Sequence, residues 1–259
     1  MIALFQKLVQ HQYILRNFIA RDLKVKYRGT VLGYLWSLLE PLSLVAIYYF
    51  LFVVVMQVHD PIYPLTVVLG VLPYNLLAAI IQSGSTALVG NAGLIRRVYI
   101  PREVFVLSAV GSNLVVYLLS MGVVVPLLFY YQIVPGPQLL WLLPAVVLLV
   151  LFGTGVALFL ACANAIYRDV AYLVRVVMRI YFYASPIIYS VDRVQGDLRE
   201  WYLLNPAAIW ISVHRSAILE RPLGLELRQV GVAAVVSVLV FLFGAWFFER
   251  WEKKAVKYL

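Results

Sequence analysis

The residues able to do chemistry are sparse in this chain, and the densest group of them is a short basic segment, 91–103, called here the hinge segment. Three of its arginines lie within seven positions: Arg96, Arg97 and Arg102. Pro101 prevents a helix from continuing through it. Residues 61–95 and 104–167, which surround these arginines, contain no Lys, Arg, Asp or Glu. The hinge segment therefore joins two hydrophobic blocks and offers a basic docking point to another molecule.

Motifs of soluble enzymes and nucleotide-binding proteins are missing from the sequence. There is no G-x-x-x-x-G-K-[ST] loop, no G-x-S-x-G elbow and no H-E-x-x-H pair, and the three histidines are scattered, so no metal site is expected. Glu40 alone approaches the interior of a hydrophobic run, where it either hydrogen-bonds a polar substrate or pairs with a nearby arginine. One carboxylate does not form a proton relay. We therefore expect no catalytic residues and an energy source in a partner subunit.

Composition shows which solvent surrounds these residues. The 259 residues are 64% hydrophobic and 13% charged, and the mean hydropathy is +0.91. Soluble domains carry about a quarter charged residues. A polar shell this small cannot cover so much apolar surface, so the chain is expected to lie in a membrane.

Six apolar segments approach or exceed the ~20 residues that cross a bilayer. They are 31–56, 65–89, 104–130, 139–166, 171–189 and 230–248. The fifth is the weakest, because Arg175 and Arg179 lie in its first half. This pattern predicts an all-α integral membrane protein with six transmembrane helices, forming a single transmembrane domain over residues 1–259.

Two further segments flank these spans. Residues 4–24 read as an amphipathic helix lying in the membrane interface, with a helix packed on a partner as the alternative. Residues 190–229 form a long outer loop that is rich in large apolar groups, with a turn at Asn205 and Pro206. We expect two short, half-buried helices there, acting as an outer gate that includes Trp201 and Trp210. The alternative is a membrane-surface loop with no gating role.

The basic residues also predict orientation. Sixteen of the 21 lysines and arginines lie in the two termini, the hinge segment and the region 167–179, all on one side of a six-span chain. The positive-inside rule places that side, with both termini, in the cytoplasm. The net charge of +9 is therefore a topology signal, and a nucleic-acid partner is not expected.

Four motifs resemble one known family. The run R-G-T-V-L-G-Y-L-W at 28–36, followed by Pro41, resembles the start of the first span in permease subunits of ABC exporters for polysaccharides, such as the O-antigen, capsule and teichoic-acid exporters. N-A-G-L-I-R-R at 91–97 resembles that family's coupling segment, Y-R-D-V at 167–170 its turn between spans four and five, and Asn205-Pro206 its outer-loop motif. The matches stand in family order along almost the whole chain. Glu40 departs from the family, which has a neutral residue before the proline.

The resemblance implies a homodimer that pairs with two ATP-hydrolysing subunits in the bacterial inner membrane and exports a glycan linked to a polyprenyl pyrophosphate. MgATP would be bound by the partner subunit, and this chain would hold no cofactor. The implied roles fall on four groups of residues. They are coupling at Asn91, Leu94, Ile95, Arg96, Arg97 and Pro101; a channel lined by Tyr34, Trp36, Tyr48, Tyr49, Phe52, Tyr181, Tyr183 and Tyr189; pyrophosphate binding by Lys24, Lys26 and Arg28; and an outer gate at Trp201, Asn205, Pro206 and Trp210.

Two other functions fit parts of the pattern. An ABC permease for drugs or small lipids would have the same span composition. An integral-membrane enzyme acting on polyprenyl-phosphate lipids would need clustered acidic residues or histidines at the membrane surface, often with Mg²⁺. The cytoplasmic turns offer only Asp22, Glu103 and Asp169, each standing alone, so the enzyme is the weaker alternative.

Overall fold

The structure, a computed structural model, describes residues 12–57, 60–189, 202–203, 205–221 and 223–259. Every regular element in these ranges is helical, as the sequence predicts. The α-helices of the described ranges are α1 Gln12–Tyr27, α2 Trp36–Tyr48, α3 Tyr63–Gly90, α4 Ala92–Ile95, α5 Glu103–Met121, α6 Val124–Tyr130, α7 Leu142–Ile166, α8 Val170–Tyr183, α9 Pro206–Leu219 and α10 Leu227–Val256. Residues 4–11 of the predicted interface helix and Trp201 of the predicted gate lie outside the described residues.

Five of the predicted spans are helical stretches that are long and apolar enough to cross a membrane. Within the described residues these are Gly33–Val55, Tyr63–Gly90, Glu103–Tyr130, Pro137–Ile166 and Leu227–Val256. Their bounds differ from the predicted ones mainly at the last helix, which continues to Val256 rather than ending at residue 248. A helix of this length reaches beyond the hydrocarbon, so its charged last turns lie outside the apolar layer.

The first span is not a uniform α-helix. It begins with a 3₁₀ turn at Gly33–Leu35, continues as α2 and ends in a π-helical stretch over Tyr49–Val55. Pro41 lies inside α2 and removes one backbone donor from the helical ladder. Few residues of this span are buried within the single chain, so most of its apolar surface faces away from the other helices.

The core is built around α3. This helix lies between α5 and α7, and α10 packs on the far side of α7. Leu65, Leu69 and Ile80 of α3 are fully buried. At the α7–α10 contact, a Cβ on Gly155 would lie 2.6 Å from the Cα of Phe241, which is possible only because the two backbones touch.

The predicted fifth span, 171–189, is shorter in the structure. Its helix, α8, ends at Tyr183 and covers 14 residues, a rise of only ~21 Å. Pro186 explains the early end, since the residue before a proline disfavours the helical conformation. Residues 184–189 follow as a turn in which Ser185 and Ile187 are buried.

Within the predicted outer loop, 190–229, the described helix α9 is more buried than expected. It has 14 residues, and twelve of them are buried within the bundle. Ile209 and Ile211 are fully buried. The apolar residues that indicated a half-buried surface helix therefore fill the core beside α3, α7 and α10.

Helix α1 lies along the first half of α5 and extends to Tyr27, three residues beyond the predicted end. The Phe18 ring meets Phe105 edge-on with centroids 5.2 Å apart, and Ser108 donates a hydrogen bond of 2.9 Å to the Asp22 carboxylate. These contacts fix α1 beside the start of α5, at the same end of the bundle as the hinge segment.

Candidate functional site

The turn between α1 and the first span explains the motif R-G-T-V-L-G. Gly29 and Gly33 have φ angles of 75° and 52°, a region that favours glycine. Between them, the Thr30 hydroxyl donates to the Tyr27 carbonyl at 2.8 Å and accepts from the Gly33 amide at 3.1 Å. The motif is thus a rigid reversal of the chain that brings the end of α1 against the first span.

The three predicted pyrophosphate ligands lie in two different cavities. Lys24 and Arg28 line, with Arg21 and Tyr34, a cavity of about 690 Å³, called here the basic depression. Lys26 lies on another side of α1 and lines a second cavity together with Glu40. Partial desolvation lowers the pKa of the Lys26 ammonium, and the Glu40 carboxylate opposes that shift. Two of the predicted cations therefore line one cavity, and the third lines another.

The second cavity contains polar residues that sequence reasoning missed. It measures about 260 Å³, and Lys26, Glu40, Asn75, Gln82 and Asn113 line it; we call it the polar cleft. Asn75, Gln82, Ser83 and Thr86 recur at helical spacing along the accessible side of α3, whose remaining sides are buried. That spacing, in a segment without charged residues, is the sequence signal that could have revealed it.

Several residues of the hinge segment contact other parts of the same chain. Its short helix α4 begins after Asn91, whose carbonyl accepts from the amides of Leu94 and Ile95, and both of these side chains pack against the hydrophobic core. The Arg96 guanidinium donates a hydrogen bond to the main-chain oxygen of Leu259, and Arg102 forms a 3.6 Å ion pair with Glu252. Four of the six predicted coupling residues are therefore engaged inside the chain.

The outward-facing part of the hinge segment is Arg97, Val98 and Tyr99, called here the exposed tip. The Tyr99 side chain is 95% exposed and that of Val98 is 48% exposed. Val98 and Tyr99 were not predicted as coupling residues. Neighbouring Arg and Tyr side chains are enriched in the centres of protein interfaces, so the tip has the composition of a docking surface.

The predicted channel aromatics fall into two groups. Four are largely exposed on the single chain, namely Tyr34, Trp36, Tyr49 and Tyr183. The others face inward: Phe52 is buried against Tyr63, with centroids 4.8 Å apart, and Tyr48 stacks on Phe52. Tyr181 and Tyr189 are partly buried and hydrogen-bonded to Asn205 and Tyr202, respectively. In the single chain the first group is therefore the more exposed, and Phe52 is the member of the second group that is buried.

The described residues of the predicted outer gate are structural anchors. The Asn205 side chain caps α9 by accepting from the amides of Ala207 and Ala208, and Pro206 occupies the first helical position. The indole of Trp210 is buried and donates to Ser237 of α10 at 2.9 Å. These contacts join α9 to the bundle.

A buried arginine that was not predicted reinforces this anchoring. Arg215 donates to the carbonyl oxygens of Thr66 at 2.9 Å and Ile187 at 2.8 Å, and more weakly to Tyr189 at 3.4 Å. Gly70 leaves room for its guanidinium, because a Cβ there would overlap the Arg215 Nη2 atom and would approach the Ile187 carbonyl oxygen to 2.8 Å. The start of α3, the turn after α8 and α9 are therefore held by one side chain.

Comparison with known proteins settles which family has this architecture. The profile of the ABC-2 type transporter family matches residues 14–219. The chain belongs to the ABC-2 type transporter family. The match begins within α1 and ends at the last residue of α9, so this ABC-2 domain includes both the hinge segment and the buried helix α9.

Several relatives of this ABC-2 chain have names that state a function. The O-antigen export system permease protein RfbA of Myxococcus xanthus is 30% identical over 261 residues, covering 98% of this chain and 99% of the relative. The protein of the same name from Klebsiella pneumoniae is 29% identical over 231 residues, covering 89% and 88%. The polysialic acid transport protein KpsM of Escherichia coli is 22% identical over 232 residues, covering 86% and 88%. The resemblance to polysaccharide-exporting ABC permeases is confirmed.

Proposed function

We propose that this chain is the channel-forming permease subunit of an ATP-driven exporter that moves a lipid-linked polysaccharide of the O-antigen or teichoic-acid type across the bacterial inner membrane. The observation that carries the proposal is the similarity to O-antigen export permeases from one end of the chain to the other. The absence of nucleotide-binding motifs from the sequence supports a division of labour, in which a partner subunit hydrolyses MgATP.

The proposed topology has six crossings with both termini in the cytoplasm. The five long helices supply five of them. The sixth is α8, which begins at the basic turn near Arg168 and ends in the buried turn at Ser185. Its ~21 Å rise is completed by protein on the outer side, because the turn after it is covered by α9 rather than by lipid. The basic residues near the hinge segment, the 167–170 turn and the end of α10 then lie on the cytoplasmic side.

Two copies of the chain form the channel in this proposal. The first span and α8 carry long rows of exposed apolar residues, including Ile47, Phe50, Val176 and Ile180. The exposed aromatics Tyr34, Trp36, Tyr49 and Tyr183 belong to the same two elements. Aromatic faces stack on the C–H surfaces of sugar rings, and tyrosine hydroxyls hydrogen-bond sugar hydroxyls. A channel between two such faces suits a glycan.

Coupling to the ATPase subunits takes place at the exposed tip. Arg97 and Tyr99 enter a groove on the partner, and movement of the partner is transmitted through α4 to the ends of α3 and α5.

The lipid pyrophosphate is bound at the basic depression by Lys24 and Arg28, which offer charge-assisted hydrogen bonds.

The test is to purify the tagged protein from its native membrane in mild detergent and to measure what accompanies it. We expect a subunit with nucleotide-binding motifs in equal amount and ATP hydrolysis by the complex. Deletion of the gene should remove the glycan from the cell surface while its lipid-linked precursor accumulates inside. Purification without an ATPase, together with unchanged surface glycan in the deletion strain, would contradict the proposal.

A further inference from the structure

The polar cleft lies within one chain and is separate from the aromatic surfaces proposed to line the channel. Its walls come from the end of α1, the middle of α2 and the facing sides of α3 and α5. It continues into a wider cavity of about 710 Å³ that shares Lys26, Gln82 and Asn113 and reaches Asn91 at the start of the hinge segment. The cleft therefore has a path to the same end of the bundle as the hinge segment.

The position of its carboxamides makes this cleft unusual for a membrane span. Asn75 and Gln82 are the thirteenth and twentieth residues of the 28-residue helix α3, well inside a segment of crossing length. A polar group left without a partner in hydrocarbon costs several kcal/mol. Their side chains make no hydrogen bond to any other residue that the structure describes, so their partners must come from an occupant of the cleft, from water within it or from a second copy of the chain.

Other groups of the cleft are held in place and aimed at the same space. Asn113 of α5 donates to the Ser83 hydroxyl at 2.7 Å and to the Ala109 carbonyl at 2.7 Å, which fixes its amide nitrogen and leaves its side-chain oxygen as an acceptor. Lys26 and Glu40 bring one positive and one negative charge to the same cavity. The floor is apolar and contains Leu72, Leu76 and Val116.

This mixture of groups identifies a class of ligand. Amide oxygens, amide N–H₂ groups, a carboxylate and an ammonium supply both donors and acceptors, and sugar hydroxyls need both. The apolar floor can receive the C–H face of a ring. The opposite charges of Lys26 and Glu40 nearly cancel, which disfavours a pyrophosphate here and favours a neutral, hydroxylated ligand. The volume of about 260 Å³ lies slightly below the usual range of ligand pockets, which starts at about 300 Å³.

We propose that the polar cleft of each protomer binds a sugar unit of the lipid-linked glycan before the glycan enters the channel, through Asn75, Gln82, Asn113, Lys26 and Glu40. The inference rests on the proposed function, because it takes a saccharide as the cargo. It assigns the pyrophosphate and the first sugars to different places, the former to the basic depression and the latter to the polar cleft, on opposite sides of the end of α1.

Thiol labelling tests whether the cleft contains water and then sugar. Cys162 is the only cysteine in the chain and is fully buried, so Asn75→Cys and Gln82→Cys can be labelled with a small anionic methanethiosulfonate reagent in inside-out membrane vesicles. Lys253→Cys, exposed at the end of α10, is the matched control. Vesicles come from cells that make the lipid-linked glycan and from cells blocked in its first glycosyl transfer.

We expect Asn75→Cys and Gln82→Cys to react in the blocked cells and to react several-fold more slowly in glycan-producing cells, while Lys253→Cys reacts equally in both. No reaction at either position in blocked cells would overturn the proposal, since lipid or a second copy of the chain would then cover the polar side of α3. Equal rates with and without the glycan would also overturn it.

Export measurements separate this proposal from the function on which it rests. Gln82→Leu should lower export at limiting glycan about two- to tenfold, as expected for one or two lost hydrogen bonds, and Gln82→Asn should restore part of it. If surface glycan depends on the gene but Gln82→Leu and Asn75→Leu export normally, the cleft assignment is wrong and the exporter stands. If surface glycan does not depend on the gene at all, the proposed function itself fails.

Discussion

The Tyr181 hydroxyl, near the end of α8, donates a hydrogen bond to the Asn205 side-chain oxygen, the same atom that caps helix α9. The Asn205 amide also lies 3.5 Å from the Ser185 hydroxyl in the turn between the two helices. A residue predicted for the channel and one predicted for the outer gate are thus in direct contact. Displacement of the end of α8 must either move Asn205 and α9 with it or break this hydrogen bond.

Substitutions of Asn205 should show how strongly this contact stabilises the fold. Asn205→Ala removes the cap and is expected to lower the free energy of unfolding by about 0.5–2 kcal/mol, and Asn205→Asp, which keeps the acceptor oxygen, by less. Tyr181→Phe keeps the cap but removes the link to α8. We therefore expect this variant to lower export clearly while it changes the free energy of unfolding little. Thermal unfolding in detergent, beside surface-glycan assays, measures both quantities. An Asn205→Ala protein as stable as the wild type would show that the cap contributes nothing.

The exposed tip should govern binding of the ATPase subunit. Tyr99→Ala and Arg97→Glu are each expected to reduce recovery of the ATPase in a pull-down about tenfold or more, because truncating a central interface Tyr or Arg commonly costs ~2 kcal/mol. Membrane insertion should be unchanged, since both side chains are exposed. Lys253→Glu, with a charge change on the same side of the bundle, is the control. Normal recovery with Tyr99→Ala would place the docking surface elsewhere.

We expect the cations of the basic depression to strengthen binding of the lipid-linked glycan. Arg28→Ala and Lys24→Ala are expected to reduce export at limiting glycan, and the double variant to reduce it further, because each cation makes charge-assisted contacts worth ~1.5–3 kcal/mol. Raising the supply of lipid-linked glycan should restore most of the export. Radiolabelled glycan appearing at the surface over time is the measurement. Loss that persists at high supply would assign these residues to folding or to a later step.

The contact between α7 and α10 should be intolerant of any side chain. A Cβ on Gly244 would overlap the backbone of Gly155, so Gly244→Ala is expected to destabilise the protein by roughly 1–3 kcal/mol through overpacking. Gly231 lies in the same helix, where a Cβ would have no neighbouring atom within 4 Å, and Gly231→Ala should be neutral or slightly stabilising. Unfolding temperatures of the two variants, compared in one detergent, check this prediction.

The sequence predicted the helical class and most spans because apolar length and charge position are local properties. The hinge segment and the turn at Asn205 and Pro206 were likewise predicted, since each depends on a few neighbouring residues. The run at 28–36 was recognised only as a family motif, and the turn that Gly29 and Gly33 form was not predicted. The end of α8 was placed six residues too late, although Pro186 marked it. In that case the apolar pattern outweighed a local signal that should have had priority.

Other features depend on contacts that are distant along the chain. The depth of α9 is set by Arg215 and by partners on α3 and α10, and an apolar loop helix looks the same in sequence whether it lies on the surface or inside. The engagement of Arg96 by Leu259 could not be foreseen from the basic pattern, which treats all hinge arginines alike. The polar residues Asn75, Gln82, Ser83 and Thr86 on one side of α3 could have been predicted. They carry no charge, however, and are easily overlooked when functional residues are sought among charged side chains.

The end of α10 and the three residues that follow it contact two turns from different halves of the chain. Glu252 and Leu259 hold the hinge segment through Arg102 and Arg96, and the main-chain oxygen of Tyr258 accepts a hydrogen bond from Arg168 in the 167–170 turn at 3.2 Å. Both turns are thus bound to the same C-terminal segment, residues 252–259. We expect a displacement of the hinge segment to be transmitted through these contacts to the 167–170 turn, so that the α3–α5 pair and the α7–α8 pair move together.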